Sequence, residues 1–233
     1  MKRPLLVRTV GLAILAAASA AVLAAQAPQK AGFRTTFPVD RAKLSNTGRG
    51  TYCILEPGYR LHLQSGKDTL IVSVLEETKF VDGVTTRVVE ERETEGGQLA
   101  EVSRNYFAID SATGDVYYFG EDVDEYKNGK VTGHEGAWLS GVNGATFGLI
   151  VPGAPRAGDR YYQESAPKVA MDRAEVVAIN EEIKVPAGTF KNCLHTKESS
   201  ALESGSEDKY YAPGVGLIKD AEFVLVKIEK GKS

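Results

Sequence analysis

The amino-acid sequence predicts an all-β protein: a single curved antiparallel meander sheet or half-barrel, carrying a Gly-rich central loop and preceded by an N-terminal signal helix. Three observations lead there. Tight-turn signals recur at Asp82-Gly83, Gly96-Gly97 and Asn128-Gly129, with Ser111-Ala112-Thr113-Gly114 as a fourth. Two-residue type I′ turns need positive φ, which Gly and Asn tolerate. The runs between these turns, roughly 68–81, 84–95, 98–110 and 115–126, are dense in Val, Ile, Thr, Tyr and Phe. No long stretch carries the 3.6-residue period of a surface helix.

Taken in chain order, residues 1–25 read as a signal peptide. Lys2, Arg3 and Arg8 form a positive start, an apolar run extends from Val10 to Leu23, and small residues end in Ala24-Ala25-Gln26-Ala27-Pro28. The apolar run falls short of the ~20 residues of a spanning helix. No cysteine stands at the cleavage site, so a lipid anchor is not expected there, nor is a stable membrane span after cleavage. The expected location is secreted or periplasmic. Residues 26–50 lack periodicity and read as a flexible lead-in to one β domain over 51–233.

The meander strands are long. Twelve residues at about 3.3 Å each span some 40 Å, about twice the usual strand. Long strands twist and coil, so the sheet is expected to curve around one concave face. The segment from Gly133 to Gly158 breaks the pattern with seven glycines, two prolines and the only tryptophan, Trp138. A structureless stretch of that length inside a compact domain is usually functional or mobile. Strands are expected to resume at 159–165, 169–185, 188–199, 207–212 and 215–228, with turns at Pro186-Ala187-Gly188 and Pro213-Gly214.

Composition limits the function classes. With 233 residues, 42% hydrophobic and 25% charged, the chain is neither collagen, coiled coil, disordered tail nor disulfide-dense miniprotein. Removing Lys2, Arg3 and Arg8 takes the formal charge from −3 to −6. Such a chain has no general attraction for nucleic acid or anionic lipid. Cys53 and Cys193 sit in apolar strand contexts that suit either a bridge or two separately buried thiols.

Three stretches carry a resemblance: Glu101–Ile109 (EVSRNYFAI), Asp115–Asp124 (DVYYFGEDVD) and Lys209–Lys219 (KYYAPGVGLIK). In them the chain resembles a family of uncharacterised secreted bacterial proteins, over most of the region from Glu56 to Lys219. Val185-Pro186-Ala187-Gly188-Thr189-Phe190 and the later Tyr-Ala-Pro-Gly turn are similar to a wider group of exported β-sheet domains. The resemblance implies fold and export, and supplies no catalytic residue. It also implies that the two cysteines are not an obligatory pair, because relatives carry an aromatic in place of Cys53.

The acidic run Glu121-Asp122-Val123-Asp124-Glu125 is the most suggestive chemistry. A regular hairpin with Asp110 opposite Asp115 sets Asn105 against Gly120, Ser103 against Asp122 and Glu101 against Asp124. Directly opposed carboxylates are unfavourable unless neutralised. Calcium held by Glu101, Asp122, Asp124 and the Asn105 carbonyl is one neutraliser. A solvated charge ladder through Arg92 is the other. The run lacks the EF-hand glycine, since Lys127 stands at position six from Asp122.

Other motifs are incomplete. His134-Glu135 lacks the second zinc-peptidase histidine, because Trp138 occupies its place, and His62 and His195 are distant in sequence. No Gly-x-Ser-x-Gly elbow occurs, and the two Ser-x-x-Lys matches lack their companion motifs. No phosphate-binding glycine loop occurs. No required cofactor is therefore expected, calcium aside, and catalytic residues are left unassigned.

Six of the ten tyrosines come as adjacent pairs, Tyr117-Tyr118, Tyr161-Tyr162 and Tyr210-Tyr211. Each pair sets one ring on either side of a sheet. Core packing accounts for that, and so does a groove lined by one ring of each pair with Trp138 on a lid above it. The expectation is a non-enzymatic ligand-binding protein whose ligand-facing residues are Tyr118, Asp122, Asp124, His134, Glu135, Trp138 and Tyr162. The ligand expected is a small molecule, glycan or peptide. Two alternatives stand beside it. One is an envelope hydrolase using Glu135 or Glu164 with an acid of the 115–126 strand. The other is an assembly protein presenting a sheet edge.

Overall fold

The computed structural model describes residues 32–231. The signal segment and its helix lie outside the described residues. A 3-10 turn, Arg41–Lys43, leads into β1 (Leu44–Ser45), β2 (Arg60–Ser65) and the meander β3 (Asp68–Val81), β4 (Val84–Glu95), β5 (Gln98–Asp110) and β6 (Val116–Lys127). The central segment carries β7 (Lys130–Gly133), β8 (Trp138–Leu139) and β9 (Thr146–Val151), followed by β10 (Arg160–Tyr162) and β11 (Glu164–Ser165). The second half is β12 (Asp172–Val185), β13 (Gly188–Ser200), β14 (Glu207–Ala212), β15 (Gly216–Asp220) and β16 (Phe223–Glu229).

Thirteen of them are antiparallel neighbours in the order β10-β12-β13-β14-β15-β16-β2-β3-β4-β5-β6-β9-β11, while β1 pairs with β5 and β7 and β8 pair with β6. The expected meander is present, and its turns use the chemistry the sequence offers. Asp82 and Gly83, Gly96 and Gly97, and Asn128 and Gly129 all take positive φ. The curvature goes further than a half-barrel. β10 pairs with β12 at one end of the order while β11 pairs with β9 at the other. The single run Arg160 to Ser165 therefore joins both ends, and the sheet is nearly closed into a barrel. Gly148 makes this seam possible, because a Cβ there would stand 2.4 Å from the Gln163 carbonyl oxygen.

Four expectations change. The segment read as a flexible lead-in is pinned from residue 32 onward: Arg34 bridges Tyr161, β1 pairs with β5, and Phe37, Val39 and Leu44 pack on the core. The central segment is less irregular than its glycines suggest, since β8 and β9 both pair with β6. The strand expected over 215–228 is two strands, turned at Ala221 with φ 47°. Nothing in Asp220-Ala221-Glu222 announces that turn, because no Gly or Asn supplies the positive φ.

The fourth change concerns register. Near their turn, β5 and β6 pair as expected, Ile109 with Val116 and Phe107 with Tyr118. Beyond it Phe119 and Gly120 stand opposite Tyr106 alone, a bulge, and Asn105 meets Glu121. Gly120 has φ 144°, and a Cβ on it would lie 2.5 Å from the Trp138 carbonyl oxygen. One extra residue sends every later side chain of β6 to the opposite face. Asp124 therefore opposes Val102, and Glu101 opposes Glu125.

Candidate functional site

The inner face is read from cross-strand neighbours. One row runs Leu61, Val72, Glu91, Ser103, Val123, and a second runs Val74, Val89, Asn105, Glu121. The barrel interior is thus apolar beside β2 and β3 and turns acidic from β4 onward. β11 to β15 complete the wall with Glu164, Asp172, Glu198, Lys209, Tyr211 and Asp220. Together these residues enclose a cavity of about 320 Å³. Inward positions of a barrel are ordinarily filled by apolar side chains or ligand, so this concentration of carboxyls is the feature that needs explaining.

Electrostatics follow from burial. Desolvation pushes the Glu91 carboxyl up to about 7, with Lys209 opposing and Asp220, Glu101 and Glu93 adding to the rise. Glu121 is also pushed to about 7 by burial, tempered by the nearby Tyr118 hydroxyl. Glu164 is held well above the ordinary range by burial and by Asp172. Its Oε1 accepts the Asp172 backbone N–H at 2.5 Å. Burial likewise raises Glu101 and Asp220. Lys209 is raised as well, toward its charged form: burial disfavours that charge, but Glu198 and Asp220 outweigh it and hold the ammonium protonated. Its Nζ lies 3.1 Å from Asp220 and 3.5 Å from Glu198.

A neutral polar thread runs along the same wall. The Tyr118 hydroxyl donates to Asn105 Oδ1 at 2.6 Å, and Asn105 Nδ2 donates to Ser103 Oγ at 3.4 Å. Gln163, in the seam, is only 2% exposed, lines the cavity, and has no side-chain hydrogen bond among the described residues. Gln163, Asp172, Glu198 and Lys209 also line a shallower depression beneath the exposed loop at 201–206. These shared residues mark where the cavity approaches the surface.

The predicted ligand-facing residues divide between the two sides. Tyr118 lines the cavity. Trp138 is 6% exposed and packs edge-to-face on Tyr118 at 5.2 Å, so it belongs to the wall rather than to a lid. The bulge places Asp122 and Asp124 outside. Asp122 accepts from Tyr106 and from Lys79, and these bonds hold its carboxyl below the ordinary value despite partial burial. Asp124 pairs with Arg104 at 3.0 Å and His134 at 3.1 Å. Glu135 is exposed. Tyr162 lies against Phe33, whose ring also carries Arg160.

The calcium set is not assembled, because Glu101 faces inward while Asp122 and Asp124 face outward. Among the described residues no group of His, Cys, Asp and Glu side chains is arranged to hold a metal ion. The charge ladder exists on the outer face, centred on Arg104 between Glu90 and Asp124 rather than on Arg92 beside Glu101. The histidines are held apart by separate partners: His62 by Glu229, His195 by Asp208 and Glu181, His134 by Asp124. Cys53 and Cys193 are free thiols, and burial pushes Cys53 up to about 12.

No family model matches this chain, and no curated protein matches it. Among solved structures it is similar to a candidate exported protein of YmcC-like fold from Bacteroides fragilis, with 12% identity and a TM-score of 0.39. It is also similar to a candidate lipoprotein from Parabacteroides distasonis, with 12% identity and a TM-score of 0.36. Both likenesses cover 78% of this chain and 100% of the other. Likeness at this level transfers no activity, ligand or site residue.

Sequence reasoning missed Glu91, Glu121, Gln163, Glu198, Lys209 and Asp220 as cavity residues. Part of the signal was legible: Val89, Glu91 and Glu93 alternate on one face of β4, as Glu101, Ser103 and Asn105 do on β5. Which face closes into a barrel was not.

Proposed function

We propose that the chain is an exported protein that binds a small ligand inside its barrel and does not turn it over. The amphipathic cavity carries this reading: one wall is apolar, the other holds carboxyls, and the nearly buried Gln163 amide is left without a protein partner. Polar groups that open onto such a cavity are met by water in the free protein, and a ligand that offers them the same hydrogen bonds replaces that water. The charged and apolar order of residues 2–28 supports export.

Glu164 and Glu121 share the cavity, which favours a second reading, an envelope hydrolase with Glu164 as acid and Glu121 as base. The assembly reading has less support, since the run Arg160 to Ser165 occupies both terminal edges of the sheet.

The test is titration of the mature chain with the neutral fluorophore N-phenyl-1-naphthylamine. Saturable enhancement is expected in wild type and its loss in Ser103→Phe, which fills the cavity. Absence of a wild-type response overturns the binding reading. Cleavage of a glycan or peptide panel, abolished by Glu164→Gln, would install the hydrolase in its place.

A further inference from the structure

Resting on the cavity reading above, we infer that the ligand is a cationic amphiphile, an amine or quaternary ammonium group carried on a short apolar body. The wall sets many carboxyls against one ammonium, and that ammonium is already engaged: Lys209 is held by Glu198 and Asp220. Glu91, Glu101 and Glu121 lie on three adjacent strands and have no cation in contact among the described residues. An anionic ligand would meet repulsion from all of them. A neutral one would leave desolvated carboxyls uncompensated. A cation supplies the missing partner.

The second observation is independent of the acids. Gln163 is 2% exposed and its amide has no protein partner, yet it stands in the same wall. Its carbonyl oxygen is an acceptor for an N–H donor brought by the ligand. The Tyr118 and Phe107 rings complete a surface that favours cations over anions. Opposite them Leu61, Val72 and Val74 offer an apolar bed. The approach is acidic too, because Asp172 and Glu198 are shared with the outer depression and Glu203 and Glu207 stand on its rim. A field of that sign draws cations toward the opening.

The discriminating experiment is isothermal titration of the mature chain with octylamine, octanol and octanoate at low ionic strength. They share one tail and differ in head-group charge. Octylamine is expected to bind at least about tenfold more tightly than octanol, the change that accompanies a one-unit displacement of a single carboxyl, and octanoate more weakly than either. In Glu91→Gln/Glu121→Gln, the preference for octylamine over octanol is expected to disappear. Equal or inverted preference in wild type, with the neutral fluorophore still bound, overturns the cation assignment and leaves the cavity reading standing. Failure of all three and of the fluorophore overturns both.

Discussion

Replacing Glu91 by Gln should stabilise the protein above neutral pH and leave it unchanged in acid. The folded carboxyl is pushed from the ordinary 4.5 to about 7, chiefly by burial. Between those values the folded state holds a proton that the unfolded chain has released. Stability therefore falls as pH rises through the interval, by about 1.4 kcal/mol per pH unit and about 3 kcal/mol in all. Below the lower value both states are protonated and the cost disappears. The groups lining the cavity are Glu101, Glu121, Glu164, Glu198 and Asp220, with Asp172 exposed at its edge and Lys209 the only cation among the described residues there. Glu121 shares the direction and is itself raised in part by Glu91, so the double variant should gain less than twice the single one. Urea unfolding at pH 4.5 and pH 8, with and without Glu91→Gln, reads the difference directly. A variant less stable than wild type at pH 8, or a gain that does not depend on pH, would refute the argument.

Three further outcomes follow from single contacts. Gly148→Ala places a Cβ 2.4 Å from the Gln163 carbonyl oxygen, so the seam must open; a loss of about 1–3 kcal/mol in denaturant unfolding is expected, with weaker fluorophore binding. Lys209→Met leaves Glu198 and Asp220 buried without their cation, and should cost about 3 kcal/mol at neutral pH, much of it recovered in acid as those carboxyls protonate. Tyr106→Phe removes a donor to Asp122 on the outer face, and should cost about 1 kcal/mol in thermal unfolding while fluorophore affinity stays that of wild type.

Much of the fold was legible because turn chemistry is local. Asp82-Gly83, Gly96-Gly97 and Asn128-Gly129 declare positive φ in the residues themselves, so β3, β4 and β5 fall where the turns place them. Ala221 adopts the same kind of φ without a residue that favours it, and the turn between β15 and β16 was invisible. The bulge at Gly120 was hidden for another reason: its need for glycine comes from the Trp138 backbone, a neighbour brought by pairing across β6 and β8. Missing that one residue inverted the faces of Asp122 and Asp124 and with them the supposed cation site.

The site itself was half legible. Adjacent tyrosines do divide between faces, since Tyr118 and Tyr211 line the cavity while Tyr210 stacks on His195 outside. Tyr162 packs on Phe33 and is not among the cavity-lining residues, because the inward face of β10 is set by its pairing with β12, a contact across the barrel seam. Glu91, Glu198 and Asp220 do not stand out in the sequence, because charged residues at alternate strand positions ordinarily face water. Only closure by Arg160 to Ser165 turns that face inward, and closure is a property of the whole sheet rather than of any strand.

The most direct measurement is a crystal structure of the mature chain soaked with a bromine-tipped alkylamine, read by anomalous scattering. A bromine peak is expected inside the barrel beside Leu61 and Val74, with the amine toward Glu91, Glu121 and Gln163. A peak confined to the outer face near Asp122 and Asp124, with the interior holding water alone, would contradict it.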